Sequence, residues 1–188
     1  MAGLKFRVLL DSKDQEKVFR DILISDEDNF ESLYKTIIHS FNFKGDQMAS
    51  FYMSNDDWDK GHEISLMDLS YGDDSIDELP SIMSKAILKD FMEEPDQKIL
   101  LVYDFLKMWI FIIELIGFEE ERPGIPLVLI SLGNAPLEES KEDHISDLDF
   151  GDENSDDDGD DDDDDMGFND FEDGFSEDDL SSYDTYDY

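Results

Sequence analysis

The chain has 188 residues, with 52 Asp and Glu against 14 Lys and Arg, and a formal net charge of −38. It contains no Cys, which excludes disulfides, thiolate metal sites and cysteine nucleophiles. Because nucleic-acid phosphates attract clustered Lys and Arg, an acidic excess of this size predicts no direct binding to DNA or RNA.

The first forty residues are predicted to form two strands and a helix. Residues 4–10 alternate apolar and basic side chains, which is the period of a strand with one face on a core. Residues 18–24 repeat the alternation after a polar turn, so the two segments should pair antiparallel. From residue 30 to residue 41, apolar side chains recur at steps of three and four after capping residues at 25–29, which predicts an amphipathic helix.

The middle of the chain mixes extended and helical patterns. Residues 49–54 are predicted to be a strand, residues 61–69 a short extended segment with a turn, and residues 71–80 an exposed acidic loop. Residues 82–91 place Ile82, Ala86, Ile87 and Phe91 at helical spacing, which predicts a second, short helix before Pro95.

Three apolar segments complete the domain. Residues 99–103 and 109–116 are dense in β-branched and aromatic side chains, and we expect a central hairpin that is apolar on both faces. Residues 127–132 are predicted to be the last strand. The order of elements predicts an α+β domain, with helices packed on one face of a mostly antiparallel sheet.

The C-terminal segment is predicted to be a disordered acidic tail. Residues 138–188 hold 25 Asp and Glu against one Lys, and this charge density opposes compact folding. The predicted division is therefore a domain at residues 1–137 and a tail at 138–188. The domain keeps 27 acids against 13 bases, so it is acidic in its own right.

The order of motifs resembles the plasmid pRiA4b ORF-3-like family, whose members are also described as insertion-element passenger proteins of the TnpR type. The residues that carry the resemblance are Tyr103, Asp104, Phe105 and Trp109, which match the family's Tyr-Asp-Phe triplet and following Trp. Where the family has Gly-Asp after the triplet, this chain has Leu106 and Lys107. The resemblance implies a fold for residues 3–137 and no activity, because the family's function is uncharacterised.

Candidate chemistry in the sequence is sparse. The three His have no pairing at the spacing that zinc sites on helices use, so we predict no metal site, no cofactor and no catalytic residue. Asp104 lies between apolar segments, where burial would suit a general acid, but a polar hairpin turn is the simpler interpretation. The tail has EF-hand-like offsets without the residues that complete such a loop, so we expect weak and diffuse binding of divalent cations.

The tail combines charge with aromatic side chains. An unbroken run of Asp should attract a basic protein, and regularly spaced Phe side chains should supply buried contacts. The predicted partner-binding residues are Asp160, Asp161, Asp162, Asp163, Asp164, Asp165, Phe168, Phe171 and Phe175. A tail that only confers solubility is the alternative interpretation of the same residues.

We therefore interpret the chain as a non-enzymatic interaction module whose tail engages a basic protein, which could itself bind nucleic acid. The alternative is a divergent enzyme or metal-binding protein with a site near Asp104 and Trp109, for which we expect a pocket lined by converging polar groups. The chain has no apolar stretch near the ~20 residues that span a bilayer and no signal-peptide pattern, so we predict a cytoplasmic location without membrane contact.

Overall fold

The computed structural model describes residues 2–11, 17–68 and 81–141. Strands β1 to β5 are Gly3–Leu10, Phe19–Ser25, Ala49–Ser54, Lys60–Ser65 and Ser81–Ile82. Strands β6 to β8 are Lys98–Tyr103, Trp109–Glu119 and Leu127–Leu132. Helix α1 is Phe30–Ser40, and two short 3₁₀ turns are Leu88–Asp90 and Glu138–Ser140.

The strands form one eight-stranded sheet in the order β5-β4-β3-β6-β7-β1-β2-β8. Neighbours pair antiparallel except β4 and β5, which run parallel and make the sheet mixed. The predicted β1–β2 pair and the central β6–β7 hairpin are confirmed. The predicted strands at residues 49–54 and 127–132 are also confirmed, with the predicted bounds.

Helix α1 begins where the sequence predicts. The side chain of Asn29 caps it by accepting a hydrogen bond from the N–H of Ser32 at 2.9 Å. The apolar face of α1 is buried against the sheet, and it holds Phe30, Leu33, Tyr34, Ile37 and Ile38. Burying a stripe of this kind accounts for most of the stability of a helix that is only three turns long.

Both faces of the sheet are apolar near its centre, as predicted for the hairpin. The face towards α1 carries the main core, which includes Phe6, Phe51 and Leu101. On the opposite face, the strand register aligns buried Leu100, Ile112, Leu9 and Phe19 in one row across four strands. The adjacent row alternates in charge: it consists of Lys98, Glu114, Arg7 and Asp21. Arg7 and Asp21 form a two-pronged ion pair in this row, at 2.9 and 3.0 Å.

The predicted α+β class with helices on one face is wrong. The described part of the chain is mostly strand, with one α-helix and a mixed sheet. Residues 82–91 do not form the predicted second helix but continue from β5 into a turn and a 3₁₀ turn. The reason is tertiary: the carbonyl groups of Met83 and Ala86 accept hydrogen bonds from the N–H groups of Glu31 and Phe30, so they extend the N-terminal cap of α1.

Several predictions lie outside the described residues. These are the exposed loop at 71–80, the disorder of the tail beyond Lys141, and the contact residues in the tail, Asp160 to Asp165 with Phe168, Phe171 and Phe175. None of the helices in the described ranges is long and apolar enough to cross a membrane.

Candidate functional site

Two of the family-motif residues face each other at the turn end of the central hairpin. Tyr103 is the last residue of β6, Trp109 is the first residue of β7, and the two are directly paired. Both rings point into the core, where each packs on the ring of Phe43, with centroids 5.9 and 5.0 Å away. Tyr34 of α1 lies next to Tyr103, with ring centroids 6.4 Å apart. The motif therefore marks an aromatic cluster between α1 and the sheet.

The other two motif residues shape the hairpin turn. Asp104 has a positive φ of 58°, and its Oδ1 accepts hydrogen bonds from the N–H groups of Leu106 and Lys107 at 3.1 and 3.2 Å. Asp tolerates this backbone conformation better than most residues because its short side chain can accept hydrogen bonds from backbone N–H groups of the same turn. The interpretation of Asp104 as a polar turn residue is confirmed. Phe105 lies exposed in the turn.

Glu138 is the central polar residue of this site. Its Oε1 accepts a hydrogen bond from the Tyr103 hydroxyl at 2.6 Å, and its Oε2 accepts one from the N–H of Lys44 at 2.8 Å. Its backbone carbonyl accepts bonds from Trp109 Nε1 at 3.3 Å and Lys107 Nζ at 3.4 Å. We call Glu138 and these four donors the Glu138 clamp. The clamp fixes residues 138–141, the start of the predicted tail, to the β6–β7 hairpin.

Lysines surround the clamp and balance the acids that follow it. Lys44 forms an exposed ion pair with Glu139, which raises the pKa of Lys44 and lowers the pKa of Glu139. Lys141 lies over the ring of Trp109, with Nζ 5.2 Å from the ring centre, and donates a hydrogen bond to the carbonyl of Met108. The chain beyond Lys141 therefore starts from a position fixed by both charge and packing.

Burial and charge hold the two tyrosines of the cluster in their neutral forms. Burial raises the pKa of Tyr103, and the hydrogen bond and negative charge of Glu138 raise it further. Burial, with smaller effects from Glu138 and Asp46, raises the pKa of Tyr34 to about 12. The Tyr34 side chain is 4% exposed and its hydroxyl makes no hydrogen bond within the described structure.

A glycine completes the cluster. The N–H of Gly45 donates to the Tyr103 hydroxyl at 3.0 Å, so this oxygen both accepts one hydrogen bond and donates another. Gly45 has a φ of 73°, and a Cβ there would lie 3.1 Å from Cγ2 of Ile38. Both the backbone conformation and the close approach favour glycine at this position.

The chemistry available at the clamp is that of a neutral phenol bonded to a carboxylate. Among the described residues, no three His, Asp or Glu side chains come close enough together to hold a metal ion. An open surface depression of about 320 Å³ lies elsewhere, lined by β5 and the segment from Lys85 to Phe91. It includes none of the family-motif residues.

Sequence reasoning found Tyr103 and Trp109 and missed Glu138. Nothing in the local pattern separates Glu138 from the 24 other acids of residues 138–188. A single buried carboxylate lacks the periodicity that reveals strands and helices, so its role is visible only from its partners in space.

In the described part of the chain, the fold and the clamp define a mostly-strand domain, built on an eight-stranded mixed sheet, with residues 138–141 bound to its central hairpin. Residues 2–166 match the family described as plasmid pRiA4b ORF-3-like protein, and the chain belongs to that family. The match runs past the clamp and through the Asp run.

A solved structure has a similar fold. It is the crystal structure of the protein of unknown function MM3350 from Methanosarcina mazei Go1, with a TM-score of 0.59 and 20% identity, covering 76% of each chain. At this identity the likeness concerns the fold alone. No curated protein matches this chain.

Proposed function

We propose that this protein is a non-enzymatic interaction module of the cytoplasm whose acidic C-terminal segment engages a basic protein. The observation that supports it is the Glu138 clamp. Four donors from two separate parts of the domain, the β6–β7 hairpin and the loop after α1, converge on one residue at the point where the acidic segment begins. Such an anchor gives the segment a fixed origin on a folded scaffold.

Charge supports the same proposal. Residues 138–188 carry a net charge of −24, with a single Lys, and that Lys is already bound at the hairpin. A segment of this charge speeds the approach of a basic partner, and the effect weakens as salt is added. The domain is acidic as well, so it adds to the attraction and does not compete for the segment.

Aromatic residues supply the second part of the proposed mechanism. Charge sets the rate of encounter, whereas buried contacts set how long a complex lasts. We assign the attraction to the run from Asp160 to Asp165 and the buried contact to Phe168, Phe171 and Phe175. Regularly spaced rings lower the solubility of a segment, so a segment that only confers solubility would gain nothing from them.

Affinity capture from a lysate, at low and at high salt, tests the attraction. The full chain is compared with a full-length variant in which residues 160–165 are all Asn. The full chain should retain basic proteins at low salt and release them at high salt, and the variant should retain far less. Capture of the same proteins by both chains would refute the proposal.

Binding kinetics with a captured partner test the aromatic contact. Replacing Phe168, Phe171 and Phe175 by Ser should raise the dissociation rate and leave the association rate and its salt dependence nearly intact. The matched control replaces three other aromatic residues of the segment, Tyr183, Tyr186 and Tyr188, by Ser. An unchanged dissociation rate in the Phe variant would reduce the segment to a charge-bearing tail.

A further inference from the structure

The sheet ends in β5 on one side and in β8 on the other. In the described part of the chain β5 consists of Ser81 and Ile82. The other edge is β8, which has six residues and the sequence Leu-Val-Leu-Ile-Ser-Leu. No described strand pairs with the outer side of β8. Among the described residues, the outer side of β8 is therefore an unpaired edge of the sheet.

The side chains of β8 are both apolar and exposed. Leu127, Val128, Leu129 and Leu132 are each 39 to 43% exposed, and Ile125 just before the strand is 69% exposed. Natural edge strands that stay unpaired usually carry charges or Pro, and β8 has neither between its first and last residue. The pairing of β2 with β8 has one irregularity, a bulge where the register shifts between Asp21 and Ile22.

The charges near the first residue of β8 favour a basic occupant. Glu120, Glu121 and Arg122 are exposed there, and Arg122 is already paired with Asp26 and Glu27. The backbone of Glu121 lies beside Gly3, as does the side chain of Leu23. Leu23 pairs with Leu127, so these acids lie near the first residue of β8. A second copy of this chain would bring another net charge of −38 to the same edge, whereas a basic segment would be attracted.

We infer that the outer edge of β8 is a docking site for an extended segment of a basic protein, which adds a ninth strand to the sheet. The bound segment would place apolar side chains at alternate positions along β8 and basic side chains near Glu120 and Glu121. Strand addition of this kind takes its affinity from main-chain hydrogen bonds and its specificity from alternate side chains. The inference rests on the proposed function, because it assigns the partner a second point of contact.

A synthetic peptide tests the inference on the full chain. The probe is fluorescein-labelled Lys-Lys-Val-Thr-Val-Thr-Val, and the control probe has Pro in place of both Thr. The two peptides carry the same charge, but the control cannot complete a ladder of backbone hydrogen bonds. In fluorescence anisotropy the first peptide should bind at least ten times more tightly; equal affinities would overturn the inference.

A pair of variants locates the site. The β8 variant carries both Val128→Asp and Leu129→Asp, which make the chain more acidic. If charge alone attracted the probe peptide, this variant would bind it more tightly. If the apolar edge of β8 binds the peptide, the variant should bind it at least ten times more weakly. Met67→Asp, another exposed apolar position, is the control and should bind the probe like the unmodified chain. Unchanged or tighter binding by the β8 variant would overturn the inference.

Two measurements on the unmodified chain exclude the other occupants. Sedimentation of the unmodified chain should give the 21.7 kDa monomer. If the unmodified chain sediments as a dimer and the β8 variant as a monomer, a second copy occupies the edge and the inference is overturned. The β8 amides that face away from β2 should exchange fast in the free chain and slow down when the probe is added. Slow exchange of these outward amides in the free monomer would show that another segment of the chain covers β8, and would overturn the inference.

The variant with residues 160–165 replaced by Asn separates this inference from the proposed function. If β8 binds the probe and the Asn variant still captures every partner, the proposed function fails while the edge site stands. If the Asn variant loses its partners while the β8 variant binds the probe normally, the edge site fails while the proposed function stands.

Discussion

Removing the hydroxyl group of Tyr103 tests the Glu138 clamp directly. In Tyr103→Phe the carboxylate of Glu138 loses a 2.6 Å hydrogen bond, and the N–H of Gly45 loses its acceptor. A hydrogen bond to a charged group contributes ~1.5–3 kcal/mol, and a buried N–H left without a partner costs ~1 kcal/mol or more. We expect the free energy of unfolding to fall by about 2–4 kcal/mol, which most domains of this size would survive.

The assay is urea unfolding followed by tryptophan fluorescence. With a slope of ~2 kcal/mol per molar, the expected loss lowers the midpoint by about 1–2 M. Tyr52→Phe is the matched control, because it removes a 3.3 Å bond to the carboxylate of Glu63 from a half-exposed strand, where we expect a loss under ~1 kcal/mol. A loss below ~1 kcal/mol in Tyr103→Phe, or equal losses in both variants, would refute the clamp.

Alkaline pH offers a second test of the same bond. The pKa of Tyr103 is raised in the folded protein, so the folded state holds this proton more tightly than the unfolded chain, where tyrosine titrates near ~10. The resulting stability is complete below pH ~10 and is lost as the pH rises towards the folded pKa. Above pH ~10, each tyrosine with a raised pKa should lower the free energy of unfolding by ~1.4 kcal/mol per pH unit. In Tyr103→Phe the free energy of unfolding should therefore fall less steeply with pH.

Four further predictions use the same unfolding assay or thermal melting. Trp109→Ala should cost ~3–5 kcal/mol because the ring is buried in the aromatic cluster, and a loss under ~1 kcal/mol would show that the ring is not packed there. Tyr34→Phe should leave stability unchanged or raise it by up to ~1 kcal/mol, since the hydroxyl has no hydrogen-bond partner among the described residues; a clear loss would reveal a bond. Asp104→Ala should cost ~1–2 kcal/mol, and Asp104→Asn less than half of that, because Asn keeps an oxygen acceptor and tolerates the positive φ. A chain ending at Lys141 should melt like the full chain, whereas a chain ending at Leu137 should stay folded but melt at a lower temperature; identical melts would contradict a stabilising role for residues 138–141.

Strands and hairpins were predictable from this sequence because their signals are local. The alternation in β1 and the apolar density of β6 and β7 reflect which side of the backbone is buried, and each segment carries that information itself. The same holds for α1, whose spacing and Asn29 cap lie within one short stretch. The motif from Tyr103 to Trp109 was found through the resemblance to the family, and it spans a single hairpin.

The failed predictions depend on contacts between distant segments. Residues 82–91 have a helical spacing, but their carbonyl groups are used by the first turn of α1, more than fifty residues away in the sequence. The role of Glu138 likewise depends on Tyr103 and Lys44, which no pattern around Glu138 reveals. Helix propensity decides the secondary structure of a short segment only where tertiary hydrogen bonds do not compete for its backbone groups.

The position of β1 in the sheet has a consequence for biosynthesis. Gly3 pairs with Glu119 and Phe19 pairs with Leu132, so the first hairpin made must wait for strands more than 100 residues later. At ~5–20 residues per second, synthesis leaves both outer edges of that hairpin unpaired for roughly 5–20 s. Contacts so distant along the chain also slow folding itself, because a long loop must close before they form. The central strands β6 and β7 are made after β1–β2 and β3–β4, so the two sides of the sheet are joined late, when most of the domain has been synthesised.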